Sequence, residues 1–468
     1  MNINTRKVNP FRLGFNIFIV IAVISLIACN QEIKVSEQAD EEVQIGVKHP
    51  EWSKNANIYE VNIRQYTPEG TLRAFEDHLP RLREMGVDIL WLMPIHPIGE
   101  KNRKGSLGSY YAVQDYKKVN PEYGSMEDFK TFVQKAHNMG FKVILDWVAN
   151  HSAWDNPWII NHPEYYATDS TGQMISPFDW TDVAKLNYDN PDMRAAMIDA
   201  LKFWVEEADI DGYRCDVAAE VPTDFWDSAR VQLDAVKPVF MLAEAEKLDH
   251  HQMAFDMSYA WELHHIYNEI AKGKMNANDI DAYYQKMDTT YDTLNAYRMN
   301  FITNHDENSW NGTVTERMGK GAQVFAMLTY TLPGMPLIYS GQEVGLDKRL
   351  EFFEKDEINW NFDSPWLPFY TKMIALKHNN KVLWNGGYGA PFERIHTTAD
   401  EKVIAFKRVK GNDAIIVIAN LSNEPVSFQF AQPIMETDLV NIETGEPAQL
   451  NEKEEMIMEP WGYFLLKK

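Results

Sequence analysis

The chain has 468 residues, 45% hydrophobic and 24% charged, which suits a folded protein with a large domain and a smaller one. Its formal net charge of −23, with no strongly basic run, argues against a nucleic-acid partner and suits a neutral substrate. The two cysteines, Cys29 and Cys215, exclude a disulfide framework and a thiolate metal site.

The first 28 residues read as a secretory signal peptide. Arg6, Lys7 and Arg12 form a positive region, and Phe15 to Leu26 is almost wholly apolar. That run falls short of the ~20 residues of a membrane-spanning helix. Leu26-Ile27-Ala28-Cys29 resembles a bacterial lipobox, which makes Cys29 the expected lipidation site. The protein is therefore expected outside the cytoplasm, anchored by lipid to a bacterial membrane, with the outer membrane favoured. Residues 29–51 read as a polar, acidic tether.

From Asn57 onward, short apolar runs alternate with amphipathic segments. Ile58–Ile63 predicts a strand, Thr71–Met85 a helix (Leu72, Phe75, Leu79, Leu82) and Asp88–Met93 a second strand ended by Pro94. Met126–Met139 predicts a helix stopped by Gly140, and Phe141–Asp146 a third strand. Further strand ends are expected at Asp216, Glu244 and Asp306, with Phe255–Met257 as the strand between the last two and Pro336–Ser340 as the final one. Asp216 and Glu244 lie 28 residues apart, near the length of one βαβ unit. Asp146 and Asp216 lie 70 apart, so an excursion of extra chain is expected over 151–190. This rhythm predicts an α/β fold: a (β/α)8 barrel over 52–380 with an inserted subdomain. Val403–Lys407, Ala414–Ala419 and Met456–Leu466 read as short strands, and predict a C-terminal β-sandwich over 381–468.

Asp146, Asp216, Glu244 and Asp306 all fall where strands are expected to end, the face on which barrel enzymes do chemistry. One such carboxylate can simply cap a helix or pair with an arginine. Four converging on one face point to catalysis. Arg214 and Asp216 are two apart on a strand, so they share a face, and the arginine keeps the carboxylate ionised. Glu244, beside that negative charge, is expected to hold its proton. A nucleophilic carboxylate beside a carboxylic acid, with a third acidic group, is the arrangement that cleaves glycosides. His151 and His305 add hydrogen-bond donors for hydroxyl groups.

Several segments then resemble glycoside hydrolase family 13, the α-amylase family, over a span from about Trp52 to the C-terminus. They are Asp146-Trp147-Val148-Ala149-Asn150-His151, Gly212-Tyr213-Arg214-Cys215-Asp216, Met241-Leu242-Ala243-Glu244 and Phe301-Ile302-Thr303-Asn304-His305-Asp306. Gly334-Met335-Pro336 through Glu343 and Tyr110–Tyr116 are similar to two further segments of the family. The resemblance implies Asp216 as nucleophile, Glu244 as acid/base and Asp306 as transition-state stabiliser. It implies Tyr111, Asp146, His151, Arg214 and His305 around the sugar, and an α-glucan or maltooligosaccharide substrate. Ala219-Glu220 stands where typical α-amylases carry Lys-His, and with Val183–Asn187 is closer to the neopullulanase and cyclomaltodextrinase group. Ala245, where that group tends to carry Trp, departs from it. Asn150 stands at the usual calcium-ligand position. No cofactor is expected for the chemistry, and a structural Ca2+ is left open. A glucanotransferase and a non-catalytic glycan-binding lipoprotein are the alternatives, and the oligomeric state is left open.

Overall fold

The computed structural model describes residues 46–468. Cys29, the signal segment and most of the tether lie outside the described residues. The described chain opens with β1 (Ile58–Val61), β2 (Ile89–Leu92) and β3 (Lys142–Trp147). An excursion then carries the antiparallel pair β4 (His151–Ala153) and β5 (Val183–Lys185). β6 (Gly212–Cys215), β7 (Phe240–Ala243), β8 (Met257–Tyr259), β9 (Tyr297–Asn300) and β10 (Met335–Tyr339) follow. β1, β2, β3 and β6 to β10 are parallel and close into a barrel in chain order, β10 pairing back onto β1.

Alternation along each strand builds two cores. Ile58, Ile89, Trp91, Ile144, Phe240, Leu242 and Met299 fill the barrel interior. Their neighbours Tyr59, Leu90, Val143, Leu145, Tyr213 and Met241 belong to the core outside it, under the helices. Arg214 lies between Tyr213 and Cys215, so its side chain points inward and the Cys215 thiol outward. Cys215 is a free, buried cysteine whose thiol burial pushes well up in pKa, as an inert small hydrophobe behaves. Gly212 is required where β6 begins: a Cβ there would sit 1.9 Å from the Phe240 carbonyl oxygen.

Three expectations need correction, and the C-terminal sandwich is refined in detail. The predicted helix over Thr71–Met85 is two, Leu72–Glu76 and Leu79–Met85. Thr71 caps the first through the Ala74 amide, and Pro80 sits in the first turn of the second, where a missing N–H costs nothing. Asp306 does not end a strand. β9 stops at Asn300, and Asp306 precedes a short π-helical turn, Glu307–Asn311. The end of the tether is packed: Val47 and His49 are buried, and His49 reaches Asp256 at 2.8 Å and the Asn295 carbonyl at 2.8 Å. The expected C-terminal sandwich has unequal layers. One is a six-stranded sheet of β11 (Glu393–Arg394), β12 (Val403–Lys410), β13 (Asp413–Asn420), β15 (Leu439–Asn441), β16 (Pro447–Ala448) and β18 (Tyr463–Lys467). The other holds only β14 (Val426–Phe428) and β17 (Met456–Met458). Val403, Ala405, Ile416 and Ile418 face this small layer, while Ile404, Phe406, Ile415 and Val417 join the barrel's outer core.

Candidate active site

The site starts from the pairing of β6 with β3 on one side and β7 on the other. The Asp216 amide donates to the Trp147 carbonyl at 2.9 Å, and the Glu244 amide to the Cys215 carbonyl at 3.0 Å. The sheet's hydrogen-bond ladder thus continues one residue past each strand and fixes both carboxylates at the barrel mouth. Val217 follows Asp216 in the left-handed region, at φ 36° and ψ 46°. A β-branched residue there costs roughly 1–3 kcal/mol, which the surrounding packing must sustain. The consequence is geometric: the Val217 amide points at Glu244 and donates to Oε2 at 2.8 Å.

Arg214 is the hub. Its Nη1 donates to Asp146 Oδ1 at 2.9 Å and to Asp216 Oδ1 at 3.1 Å, and its Nε to the Tyr259 hydroxyl at 3.1 Å. Its Nη2 lies 3.0 Å from Glu244 Oε2, an ion pair whose angle falls short of a hydrogen bond. The guanidinium also sits over the rings of Trp91 and Tyr259 at 5.1 and 5.6 Å. The arginine was expected to serve Asp216; it is shared among three carboxylates.

Asp146 and Arg214 are fully buried and lie beneath the cleft rather than in its lining. Asp146 Oδ2 accepts from Trp91 Nε1 at 3.1 Å and from the Tyr111 hydroxyl at 3.0 Å. The Tyr111 hydroxyl is also 2.8 Å from His305 Nε2, which lies 3.2 Å from Asp306 Oδ2. The other ring nitrogen of His305 pairs with Glu60, an interior residue of β1. Reasoning from sequence passed over Glu60, because it lies inside β1 rather than at its end; its place two residues after the inward-facing Ile58 is the signal that could have found it.

Burial is the largest influence on every charge here. It pushes Asp216 and Glu244 up from ordinary carboxylate values, with Arg214 opposing at both; the Glu244 charge raises Asp216 further. Burial thus favours the protonated form at both carboxyls, and the Arg214 charge favours the ionised form. Burial opposes ionisation of His305 and Asp306 as well. Their mutual attraction, joined by Glu60, outweighs it, leaving His305 well above and Asp306 below the ordinary value. Burial alone lowers His151 to about 3, so it is a neutral hydrogen-bonding ring.

A cleft of about 540 Å3 opens above these groups. Its lining includes Tyr111, His151, Asp216, Glu244, His305 and Asp306, which brings six of the eight predicted site residues to one surface. Trp180 from the 151–190 excursion and Trp310, Phe352 and Phe353 from beyond β9 supply aromatic walls. The segment 250–261 contributes none of the lining. Asn150 turns its side-chain nitrogen toward His151 Nδ1 at 3.2 Å, and its carbonyl accepts from the Leu186 amide. Among the described residues no group of three or more His, Cys, Asp or Glu has metal-holding spacing.

Comparison with known proteins agrees with this geometry. A sequence model of the α-amylase catalytic domain matches residues 40–182 and 168–388. The chain is 27% identical over 416 residues to Alpha-amylase MalA of Haloarcula japonica, covering 84% of this chain and 59% of that protein. The crystal structure of an α-amylase from Lactobacillus plantarum superposes with a TM-score of 0.79 at 29% identity, over 89% of this chain and 99% of that one. A noncanonic maltogenic α-amylase, AmyB, from Thermotoga neapolitana superposes with a TM-score of 0.76 at 29% identity, over 89% and 97% of the two chains. The carboxylates at the mouth of this closed parallel barrel thus lie in a glycoside hydrolase, and the chain belongs to the α-amylase family.

Proposed function

We propose that the protein hydrolyses α-1,4-glucosidic bonds of starch-like glucans, maltooligosaccharides or cyclodextrins, retaining the anomeric configuration. The observation that carries this reading is the convergence of Asp216, Glu244 and Asp306 on one cleft, with Arg214 bridging the first two. In the first step Glu244 gives its proton to the leaving glycosidic oxygen while Asp216 attacks the anomeric carbon. In the second, Glu244 takes a proton from water, which displaces Asp216. Burial raises Glu244 and so favours the protonated form that the first step needs, while the Arg214 guanidinium opposes the same push at Asp216. Asp306, kept anionic by His305, faces the positive charge that develops on the sugar ring. Asp146 acts through Arg214 and Tyr111 as a positioning residue. No step uses a metal. Dialysis against a chelator is expected to leave kcat unchanged; a loss of thermal stability alone would assign calcium a structural role.

Ala219-Glu220 and Val183–Asn187 support a specificity near the neopullulanase and cyclomaltodextrinase group, with Ala245 as a departure. The deciding experiment is digestion of maltoheptaose followed by NMR and product sizing. Initial α-anomers no longer than the substrate support retaining hydrolysis. Initial β-anomers would overturn the nucleophile assignment, and products longer than the substrate would make the enzyme a transferase. The lipobox-like Leu26–Cys29 supports export and lipid anchoring, probed by fatty-acid labelling of the wild type and of Cys29→Ser. Label in both would overturn the assignment of Cys29.

A further inference from the structure

One aromatic side chain stands just outside the cleft at a double cost. Phe178 is 64% exposed, and its backbone lies at φ 53°, in the left-handed region that a bulky residue rarely adopts. An exposed ring returns little burial free energy, and the conformation costs about 1–2 kcal/mol. The turn that carries it is held at several points. The Trp180 amide donates to the Pro177 carbonyl at 3.1 Å, Ser176 Oγ to the Val183 carbonyl at 2.8 Å, and Trp154 Nε1 to the Thr181 carbonyl at 3.0 Å. Phe178 is therefore a ring held outward by a braced turn.

Its neighbour shows what it faces. The Phe178 and Trp180 rings lie 4.9 Å apart at 56°. Trp180 lines the cleft and meets His151 edge-on at 5.4 Å. A continuous aromatic surface thus runs from the catalytic cleft onto the outside of the inserted subdomain. Trp310, 52% exposed, and Phe352 stand on the other wall, 5.2 Å apart. The flanking Asp179 and Asp182 and the net charge of −23 disfavour an anionic lipid surface as the occupant. A neutral sugar chain fits: flat rings cover the C–H faces of pyranoses, and successive sugars of a bound glucan need successive platforms.

We infer that Phe178 and Trp180 form an outer sugar-binding platform, which engages glucan units beyond those at the cleavage point and biases the enzyme toward longer chains. This inference rests on the α-glucan reading above. The test is steady-state kinetics of the full chain, Phe178→Gly and Phe178→Trp on maltotriose and maltoheptaose. The ratio of KM for maltoheptaose to KM for maltotriose is expected to rise roughly fivefold in Phe178→Gly, the effect of losing about 40 Å2 of apolar contact. Phe178→Trp is expected to restore it. A local structural role would shift both substrates together, whereas the platform shifts only the long one. Thermal stability of Phe178→Gly should equal or exceed wild type, because glycine relieves the left-handed conformation. An unchanged ratio, or equal shifts for both substrates, overturns the platform alone. Failure of the unaltered protein to turn over either substrate overturns the glucan reading, and the platform with it.

Discussion

At the scale of single residues, the site turns on how buried charges are shared. Asp216 and Glu244 lean on one guanidinium, and Asp146 holds that guanidinium from below. Asp216→Asn removes the proposed nucleophile while keeping its shape and its place against Arg214. Its kcat on maltoheptaose is expected to fall by about 10⁴-fold or more, with ligand affinity by calorimetry within a few-fold of wild type. Retained turnover would move the nucleophile elsewhere. His96 offers a separate test of burial. Packed against Trp147 and Trp204, with Nε2 lacking a hydrogen-bond partner, it is lowered to about 4 by desolvation. Between its folded and unfolded values the unfolded chain binds the extra proton. Its contribution is therefore complete above about pH 6.5 and is lost as pH falls toward 4. Near pH 5 the loss is about 2 kcal/mol. His96→Gln should narrow the difference in melting temperature between pH 7 and pH 5; an unaltered difference would rule this histidine out as a source of acid sensitivity.

At the scale of elements, the segment that enters the barrel is fastened more firmly than its composition suggests. Acidic, polar residues up to Lys48 read as tether, yet His49 inserts beside Asp256, which Arg230 also holds at 2.8 Å. Asp256 takes the Met241 amide as well, so this cluster links the incoming chain to β7. His49→Ala should release residues 46–50 and make them cleavable by dilute protease. Because the cluster lies outside the cleft lining, kcat should stay within about twofold of wild type, within the range of a distant surface change. Protection equal to wild type would mean that the remaining contacts, burial of Val47 and the Arg230 bond to the Lys48 carbonyl among them, hold the segment without His49. The 151–190 excursion shows the converse case. Its presence was legible from spacing and its content of Trp, Pro and Asn. Which of its aromatics meets the cleft was not, because that depends on the turn at 176–183.

For the whole molecule, the C-terminal sheet completes the core. Phe406, Ile415 and Val417 belong to the same apolar cluster as the barrel helices. Arg408 is fully buried, donating to the Ala390 carbonyl at 2.8 Å and to the Thr331 carbonyl at 3.1 Å, and burial lowers it to about 10. Thr331 ends the helix Ala322–Thr331, so this one side chain ties sheet to barrel. Removing residues 381–468 would expose that apolar face and leave backbone carbonyls without donors, a cost of about 1–3 kcal/mol for each buried group. The truncated chain is expected to aggregate on expression. A soluble, active barrel from that truncation would show the C-terminal domain to be dispensable.

What the sequence determined by itself is local and periodic. The 28-residue step from Asp216 to Glu244 placed them on neighbouring strands, and the two-residue spacing of Arg214 and Asp216 put both on the interior face. Such relations follow from strand geometry and βαβ length, which the chain carries in its own spacing. Tertiary structure decided everything that joins distant segments. Barrel closure through β1 and β10 brings Glu60 to His305, 245 residues away, and so sets the charge state of Asp306's partner. The sharing of Arg214 among three carboxylates, the strained Val217 amide aimed at Glu244 and the aromatic walls also arise only on folding. Their physical reason is common: each is a contact between side chains or loops whose positions are fixed by long-range packing, and no periodicity in the chain encodes it.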